Sequence, residues 1–353
     1  MTIHTAVVAA FCACVSAFAQ PTSVDVEFTG VGDMTLKGTL LLPETPGDAA
    51  GDEKRAKFPA ILLLPGSGPT NRDGNQPPML VTNLLKEVAE RLAAEGVATL
   101  RFDKRATHVY AKEWPKDVEA IDAFFAFDRF VGDAAAALEY LQLREEIDAA
   151  RTVIAGHSEG GLIALHVAHD LAGTHSAPMG LILMGTAGRT LDIVLREQVR
   201  ANVERTNPNW DGKEALFTKL DEAIAASKAR EPVPDDLPAG LRPLFNPTVR
   251  SLMYAYFTID PAVLAAKVRG PVLIVQGEDD AQISAERDAP VLEAVLAERE
   301  GATTKLVVIA KASHNFKDTT DNPFGFTGPV MPEVLETMVG WAREHMGAGS
   351  TGR

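Results

Sequence analysis

The segment Gly156-His157-Ser158-Glu159-Gly160 constrains this chain more than any other, because it places the pattern G-x-S-x-G between two unlike flanks. Residues 151–155 before it are apolar and β-branched, as in a buried strand, and residues 162–168 after it are rich in Ala and Leu, as in a helix. Glycines two residues to either side of the serine remove the Cβ atoms that would clash in so sharp a turn. We therefore expect strained backbone angles at Ser158, its hydroxyl at the carboxyl edge of a sheet, and the N–H of Glu159 directed toward a developing oxyanion.

Further apolar runs alternate with helical stretches along most of the chain. Continuous runs that predict buried strands lie at residues 59–64, 97–102, 180–184, 271–276 and 305–309. Ahead of them, residues 24–28 and 35–42 have the alternating pattern of an antiparallel hairpin. This order predicts an α/β fold with a mostly parallel sheet flanked by helices.

The alternation of strands and helices stops between residues 189 and 266. This stretch has helical patterns, as at residues 191–204 and 213–229, and no strand candidate, so we expect a helical cap inserted late in the sheet. Residues 20–188 and 267–353 would then form the core. The second half of the cap carries large apolar side chains that either line an acyl pocket or form the core of the cap itself, namely Phe245, Met253, Tyr254, Tyr256 and Phe257.

Charge and the first residues limit the partners and the compartment. A formal net charge of -14 disfavours nucleic acid and anionic membrane surfaces as partners. The only cysteines, Cys12 and Cys14, lie in an apolar N-terminal stretch, so the rest of the chain has no thiol nucleophile and no disulfide framework. That stretch ends in the A-x-A pattern of residues 17–19. It predicts a signal peptide over residues 1–19 and export to the periplasm or the medium, although no Lys or Arg precedes the apolar residues.

A serine nucleophile requires a base, and the base in turn requires a carboxylate that orients it. Of the eight histidines, only His314 lies in a loop directly after a late strand. Two acids, Asp279 and Asp280, follow the strand at 271–276, and their position alone does not separate them. The order serine, aspartate, histidine is that of α/β-hydrolases.

Two further loops follow strands of the predicted sheet. The first buried strand ends in Gly66-Ser67-Gly68, a glycine-rich turn whose backbone amides suit the second half of an oxyanion hole. The strand at 97–102 ends in Asp103-Lys104-Arg105, for which we expect structural salt bridges rather than direct chemistry. Residues 108–125 follow as a long connection.

The chain resembles bacterial carboxylesterases of the α/β-hydrolase superfamily that combine a GSGP-x-x-RDG loop with a GHSEGG elbow. Here these motifs lie at residues 66–74 and 156–161, and the resemblance continues through residues 102–105, 276–280 and 313–316. The family places its acid three residues after the glycine, which implies Asp280. The resemblance also implies hydrolysis of small-molecule esters through an acyl-enzyme on Ser158, with His314 as base, the amides of Ser67 and Glu159 as the oxyanion hole, and neither cofactor nor metal.

Other functions would use parts of the same pattern. A thioesterase or an acyltransferase would have the same triad, whereas a peptidase of the prolyl-oligopeptidase type would need a propeller for which 353 residues leave no room. A dinucleotide-binding module needs G-x-G-x-x-G, and Arg72 stands where the third glycine should be. From a different class, a non-catalytic hydrolase-like binding protein would normally have lost a triad residue. The cap suggests small to medium acyl groups, and the oligomeric state stays open.

Overall fold

The computed structural model describes residues 20–44, 56–322 and 324–348. The signal peptide predicted for residues 1–19 lies outside the described residues. The strands are β1 (Thr22–Thr29), β2 (Thr35–Leu42), β3 (Phe58–Leu64), β4 (Ala98–Phe102), β5 (Ile147–His157), β6 (Gly180–Met184), β7 (Val272–Gly277) and β8 (Thr304–Ile309).

These strands form one eight-stranded sheet in the order β1-β2-β4-β3-β5-β6-β7-β8. β1 pairs with β2 and β2 with β4 in antiparallel fashion, and all other neighbours are parallel. β5 lies near the middle of the order, so the residues after it reach the centre of the carboxyl edge, between the ends of β3 and β6.

Helices cover both faces of the sheet. They are α1 (Leu84–Ala93), α2 (Val118–Phe124), α3 (Phe127–Gln142), α4 (Glu159–Asp170), α5 (Leu191–Thr206), α6 (Lys213–Ala229), α7 (Arg250–Thr258), α8 (Pro261–Ala265), α9 (Ala289–Ala297) and α10 (Pro332–Met346). None of the helices in the described ranges is long and apolar enough to cross a bilayer.

The two faces of β3 show how the core is divided. Leu62 and Leu64 belong to the cluster that contains α3, α4 and α9, whereas Ile61 and Leu63 belong to the cluster that contains α1 and α10. Successive side chains of a strand point to opposite faces, so a strand covered on both faces must be apolar throughout. The sheet is mostly parallel and flanked by helices, which confirms the predicted α/β fold.

Four helices, α5 to α8, lie between β6 and β7, and no strand interrupts this stretch among the described residues. α7 packs against α2 and α3 of the core, and α8 packs against α4 and α9. The sequence predicted only a connection over residues 108–125, and the helix α2 within it is therefore a correction. Its one buried residue, Asp122, accepts hydrogen bonds from the backbone N–H (2.8 Å) and the hydroxyl (2.7 Å) of Ser251 at the start of α7.

Candidate active site

Ser158 lies in the sharp turn between β5 and α4. Its backbone has φ 55 and ψ -118, a conformation that non-glycine residues rarely adopt. A Cβ on Gly156 would lie 2.1 Å from the carbonyl oxygen of Gly160, and a Cβ on Gly160 would lie 2.4 Å from that of Leu64. Both positions therefore require glycine, as the G-x-S-x-G pattern predicts. Glu159 begins α4, so its N–H has no acceptor within the helix.

His314 follows β8 and is paired with the buried carboxylate of Asp280. Its Nδ1 lies 2.8 Å from Oδ2 of Asp280, and Nε2 of Gln276 donates to the same oxygen at 3.0 Å. The other oxygen, Oδ1, accepts from the backbone N–H groups of Gln282 (2.8 Å) and Ile283 (2.9 Å). These bonds leave the carboxylate no freedom to turn away from the ring.

Two opposed effects act on the pKa of Asp280. Burial favours the protonated carboxyl and would raise the pKa. The charge of His314, the hydrogen bond to its ring and the two backbone N–H groups outweigh burial, so the pKa is held below its ordinary value. Asp280 is thus an ionised acceptor at neutral pH. With Nδ1–H donating to it, the neutral ring of His314 has Nε2 unprotonated and able to accept a proton.

Asp279 points away from this pair, although it is adjacent to Asp280 in the chain. Asp279 is exposed and accepts a hydrogen bond from the hydroxyl of Thr319 at 2.5 Å. The structure therefore brings Asp280, and not Asp279, to His314.

His157, inside the elbow, is a site residue that the sequence did not single out. Its Nε2 donates to the backbone carbonyl of His314 at 2.8 Å, and the centres of the two rings lie 4.7 Å apart. Burial, reinforced by the neighbouring His314, lowers the pKa of His157 to about 3. A neutral ring has only one N–H, and here that N–H fixes the backbone of His314.

The loop after β3 lies beside Ser158 and presents a free amide. The carbonyl of Ser67 accepts from the hydroxyl of Thr70 (2.6 Å) and from Nε2 of Gln76 (3.0 Å), which fixes that side of the loop. The N–H of Ser67 has no protein acceptor within the described part of the chain. Ser67, Ser158 and Glu159 line one cavity.

The triplet Asp103-Lys104-Arg105 forms three ion pairs with three separate parts of the molecule. Asp103 pairs with Arg72 of the β3 loop region at 2.7 Å, Lys104 with Glu159 of the elbow at 2.8 Å, and Arg105 with Asp133 of α3 at 2.6 Å. All three triplet side chains are buried. The structure thus shows the salt bridges that the sequence favoured for this triplet.

The cavity above Ser158 has a volume of about 380 Å³ and is enclosed on one side by the helices between β6 and β7. Apart from Ser67, Ser158, Glu159, Gln198, Tyr256 and Gln282, the residues around it are apolar. Of the large cap side chains considered above, Met253, Tyr256 and Phe257 line the cavity. Phe245 instead packs against Phe257, with ring centres 6.1 Å apart, and Tyr254 lies under the guanidinium of Arg230 at 3.9 Å.

We searched the described residues for side chains that could together bind a metal ion. Among these residues, no group of three or more His, Cys, Asp or Glu side chains is arranged to hold a metal ion.

Comparison with known proteins agrees with this architecture. Residues 61–323 match the Alpha/beta hydrolase family. The chain is also similar to esterase EstD of Thermotoga maritima, with 25% identity over 304 residues that cover 83% of this chain. It spans 62% of the length of that relative.

Solved structures with the same fold include several enzymes of distant sequence. Est1E from Butyrivibrio proteoclasticus has a TM-score of 0.54 at 16% identity, covering 92% of this chain and 99% of that one. EstE1, a carboxylesterase cloned from a metagenomic library, has a TM-score of 0.56 at 16% identity, covering 94% of this chain and 92% of that one. An acylaminoacyl peptidase of Pyrococcus horikoshii has a TM-score of 0.57 at 14% identity, covering 95% of this chain and 43% of the peptidase. Because the family match covers well over half of its length, this chain belongs to the α/β hydrolase family.

Proposed function

We propose that the protein is a serine carboxylesterase that hydrolyses esters with small to medium acyl groups through an acyl-enzyme. The observation that carries the proposal is the strained Ser158 elbow at the floor of an apolar cavity, with the His314–Asp280 pair at the same sheet edge. The similarity to an esterase supports ester bonds as the target in preference to thioesters or acyl transfer.

In the first half of the reaction, the Ser158 oxygen attacks the ester carbonyl carbon while its proton passes to Nε2 of His314. The Ser158 hydroxyl forms no hydrogen bond to His314 or to any other described residue, so this transfer requires the hydroxyl to turn toward the ring. The bond between the carbonyl carbon and the alcohol oxygen then breaks, and His314 gives the proton to the leaving alcohol. Asp280 stabilises the imidazolium without taking its proton.

In the second half, a water molecule attacks the acyl-enzyme with His314 again as base. The carboxylic acid leaves and Ser158 recovers its proton. In both halves the negative charge develops on the former carbonyl oxygen. The unengaged N–H groups of Ser67 and Glu159 are the donors that we assign to this oxyanion.

The cavity supports a neutral substrate of limited size. Its only ionisable carboxylate, Glu159, is neutralised by Lys104 and also accepts from the hydroxyl of Tyr256, so no unpaired charge faces the substrate from the described lining. A volume of about 380 Å³ is near the lower end of the range for small-molecule sites, roughly 300–1,000 Å³. This favours short and medium acyl chains over long lipid chains.

The test is covalent labelling combined with kinetics. A fluorophosphonate should modify one residue, Ser158, and not Ser67, the other serine that lines the cavity. Ser158→Ala should lose the label and lower kcat on p-nitrophenyl butyrate by at least about three orders of magnitude. Labelling at another serine, or a smaller loss of kcat, would refute the assignment. A purified wild-type protein inactive on every ester from acetate to palmitate would refute the function.

A further inference from the structure

Among the buried cations that the proposed mechanism leaves unused, Lys104 is the one that contacts both halves of the oxyanion hole in the described structure. Nζ of Lys104 donates to the carbonyl oxygen of Gly66 at 2.6 Å and to Oε2 of Glu159 at 2.8 Å. The side chains of Lys104 and Glu159 are only 4% and 3% exposed. A cation so far from water needs a specific role or a specific partner, and here it has two acceptors, one in the loop after β3 and one in the first turn of α4.

The first acceptor controls the direction of one oxyanion donor. The carbonyl of Gly66 and the N–H of Ser67 belong to the same peptide unit, which is planar and trans, so the two groups point in opposite directions. Holding the oxygen therefore fixes where the N–H points. A positive charge at 2.6 Å from the oxygen also polarises the amide, which makes its N–H a stronger donor.

The second acceptor belongs to the residue that supplies the other donor. The carboxylate of Glu159 is held at Oε2 by Lys104 and at Oε1 by the hydroxyl of Tyr256 from α7, at 2.5 Å. Burial, the charge of Glu159 and the hydrogen bond to it raise the pKa of Tyr256, so this hydroxyl stays protonated and donates. Lys104 thus connects the loop after β3 with the first turn of α4 at a fixed separation.

We propose that Lys104 is a positioning residue that sets the distance and direction of the two amide donors of the oxyanion hole. Tyr256 completes the arrangement from the cap. The inference rests on the proposed ester hydrolysis and adds to it a residue outside the triad that acts only when the oxyanion forms. Its loss should therefore lower kcat and leave KM nearly unchanged.

A neighbouring ion pair provides a control for a purely structural role. Arg105 and Asp133 are also buried, with side chains 3% and 1% exposed, and are joined by two hydrogen bonds of 2.6 and 2.7 Å. Neither residue has a hydrogen bond to Gly66 or Glu159 in the described structure. Removing both partners of a pair avoids leaving one buried charge alone. The double variants Lys104→Met/Glu159→Gln and Arg105→Met/Asp133→Asn therefore test function against stability.

The two variants are compared in kcat, KM, Tm and affinity for an aryl trifluoromethyl ketone. The Ser158 oxygen adds to the carbon of this ketone, its proton passes to His314, and the former carbonyl oxygen becomes an oxyanion. Lys104→Met/Glu159→Gln should lower kcat and the affinity for the ketone together by about 100-fold, the order expected when one oxyanion donor is lost. KM should stay within about threefold. Arg105→Met/Asp133→Asn should lower Tm and leave kcat within about threefold.

Equal losses of kcat in the two double variants, or a kcat within tenfold of wild type for Lys104→Met/Glu159→Gln, would overturn the inference. If that variant does not fold, Lys104→Gln replaces it, because it retains a neutral donor. It should then lose about tenfold in kcat and in ketone affinity, and an unchanged ketone affinity would overturn the inference equally. An inactive wild-type protein would instead refute the proposed function, so the two failures are distinguishable.

Discussion

The two walls of the cavity are built in different ways. On the core side, directional hydrogen bonds hold the side chain that orients His314. Asp280 alone accepts from the ring of His314, from Gln276 and from two backbone N–H groups. On the opposite side, α5, α7 and the residues between α6 and α7 form what we call the cap wall. It is lined mainly by aliphatic and aromatic carbon, contributed by residues such as Leu244, Leu252 and Met253.

This difference indicates how each wall acts on a reaction. Hydrogen bonds fix positions to a few tenths of an ångström, so a change in the core wall alters the geometry of the transition state. Apolar contacts depend on volume and tolerate adjustment, so a change in the cap wall alters which substrates fit. We therefore expect core substitutions to act on kcat for every ester and cap substitutions to act on the choice between esters.

The largest expected effect is at Asp280, within the core wall. Asp280→Asn removes the charge that stabilises the imidazolium and allows the wrong tautomer of His314, so kcat should fall by about four orders of magnitude. Asp279→Asn is the control, since among the described residues this neighbouring carboxylate accepts a side-chain hydrogen bond from Thr319 and none from His314. It should cost a surface hydrogen bond, about 1 kcal/mol of stability, and little activity.

The measurement is kcat on a single ester for both variants and the wild type. If Asp279→Asn lost most of its kcat and Asp280→Asn kept nearly all of it, the assignment of Asp280 as the triad acid would be wrong.

An intermediate effect is expected on stability at His157, which holds the backbone of His314. The pKa of His157 is about 3 in the folded protein and about 6.5 in the unfolded chain. Between these pH values His157 is therefore protonated in the unfolded chain and neutral in the folded protein. Stability is therefore lost as pH decreases below about 6.5. From pH 8 to pH 5, this residue should reduce the free energy of unfolding by about 2 kcal/mol.

Urea unfolding at the two pH values would detect this loss. His157→Gln should lose about 2 kcal/mol less than the wild type over the same interval, whereas the exposed His175→Gln should lose as much as the wild type. An identical pH dependence for wild type and His157→Gln would show that His157 does not remain neutral in the folded protein.

The sequence predicted well the elements whose signal is local. β6 spans Gly180–Met184 and α6 spans Lys213–Ala229, which are the residues predicted for them, because a continuous apolar run and a long helical pattern mark each one. The conformation of Ser158 was predicted for the same reason, since its glycines lie within two residues of it. Elements whose structure is determined by distant contacts were missed. α2 buries only Asp122, whose partner Ser251 is 129 residues away.

The same limit applies to the site. His157 bonds to a backbone carbonyl 157 residues further along the chain, and a carbonyl leaves no trace in the type of residue that carries it. The ion pairs of the triplet after β4 span 28 to 55 residues, so the sequence could favour salt bridges there but could not identify the partners. The choice between Asp279 and Asp280 required the family pattern, because adjacent carboxylates differ only in where the loop directs them.

The smallest expected effect concerns the cap wall and tests its selectivity directly. Leu195 and Ile193 lie on the same helix, α5, but Leu195 lines the cavity and Ile193 is exposed. Leu195→Trp should fill part of the cavity. Crowding of this kind typically costs about 1–3 kcal/mol, so kcat/KM for octanoate should fall by about tenfold relative to acetate. Ile193→Trp adds the same side chain outside the cavity and should leave the ratio of kcat/KM for the two esters unchanged.

The chemistry is assigned to the core wall, so kcat on acetate should stay within about threefold in both variants. An equal loss on acetate and octanoate in Leu195→Trp would mean that the cap wall also positions the reacting atoms, and the division between the two walls would be wrong.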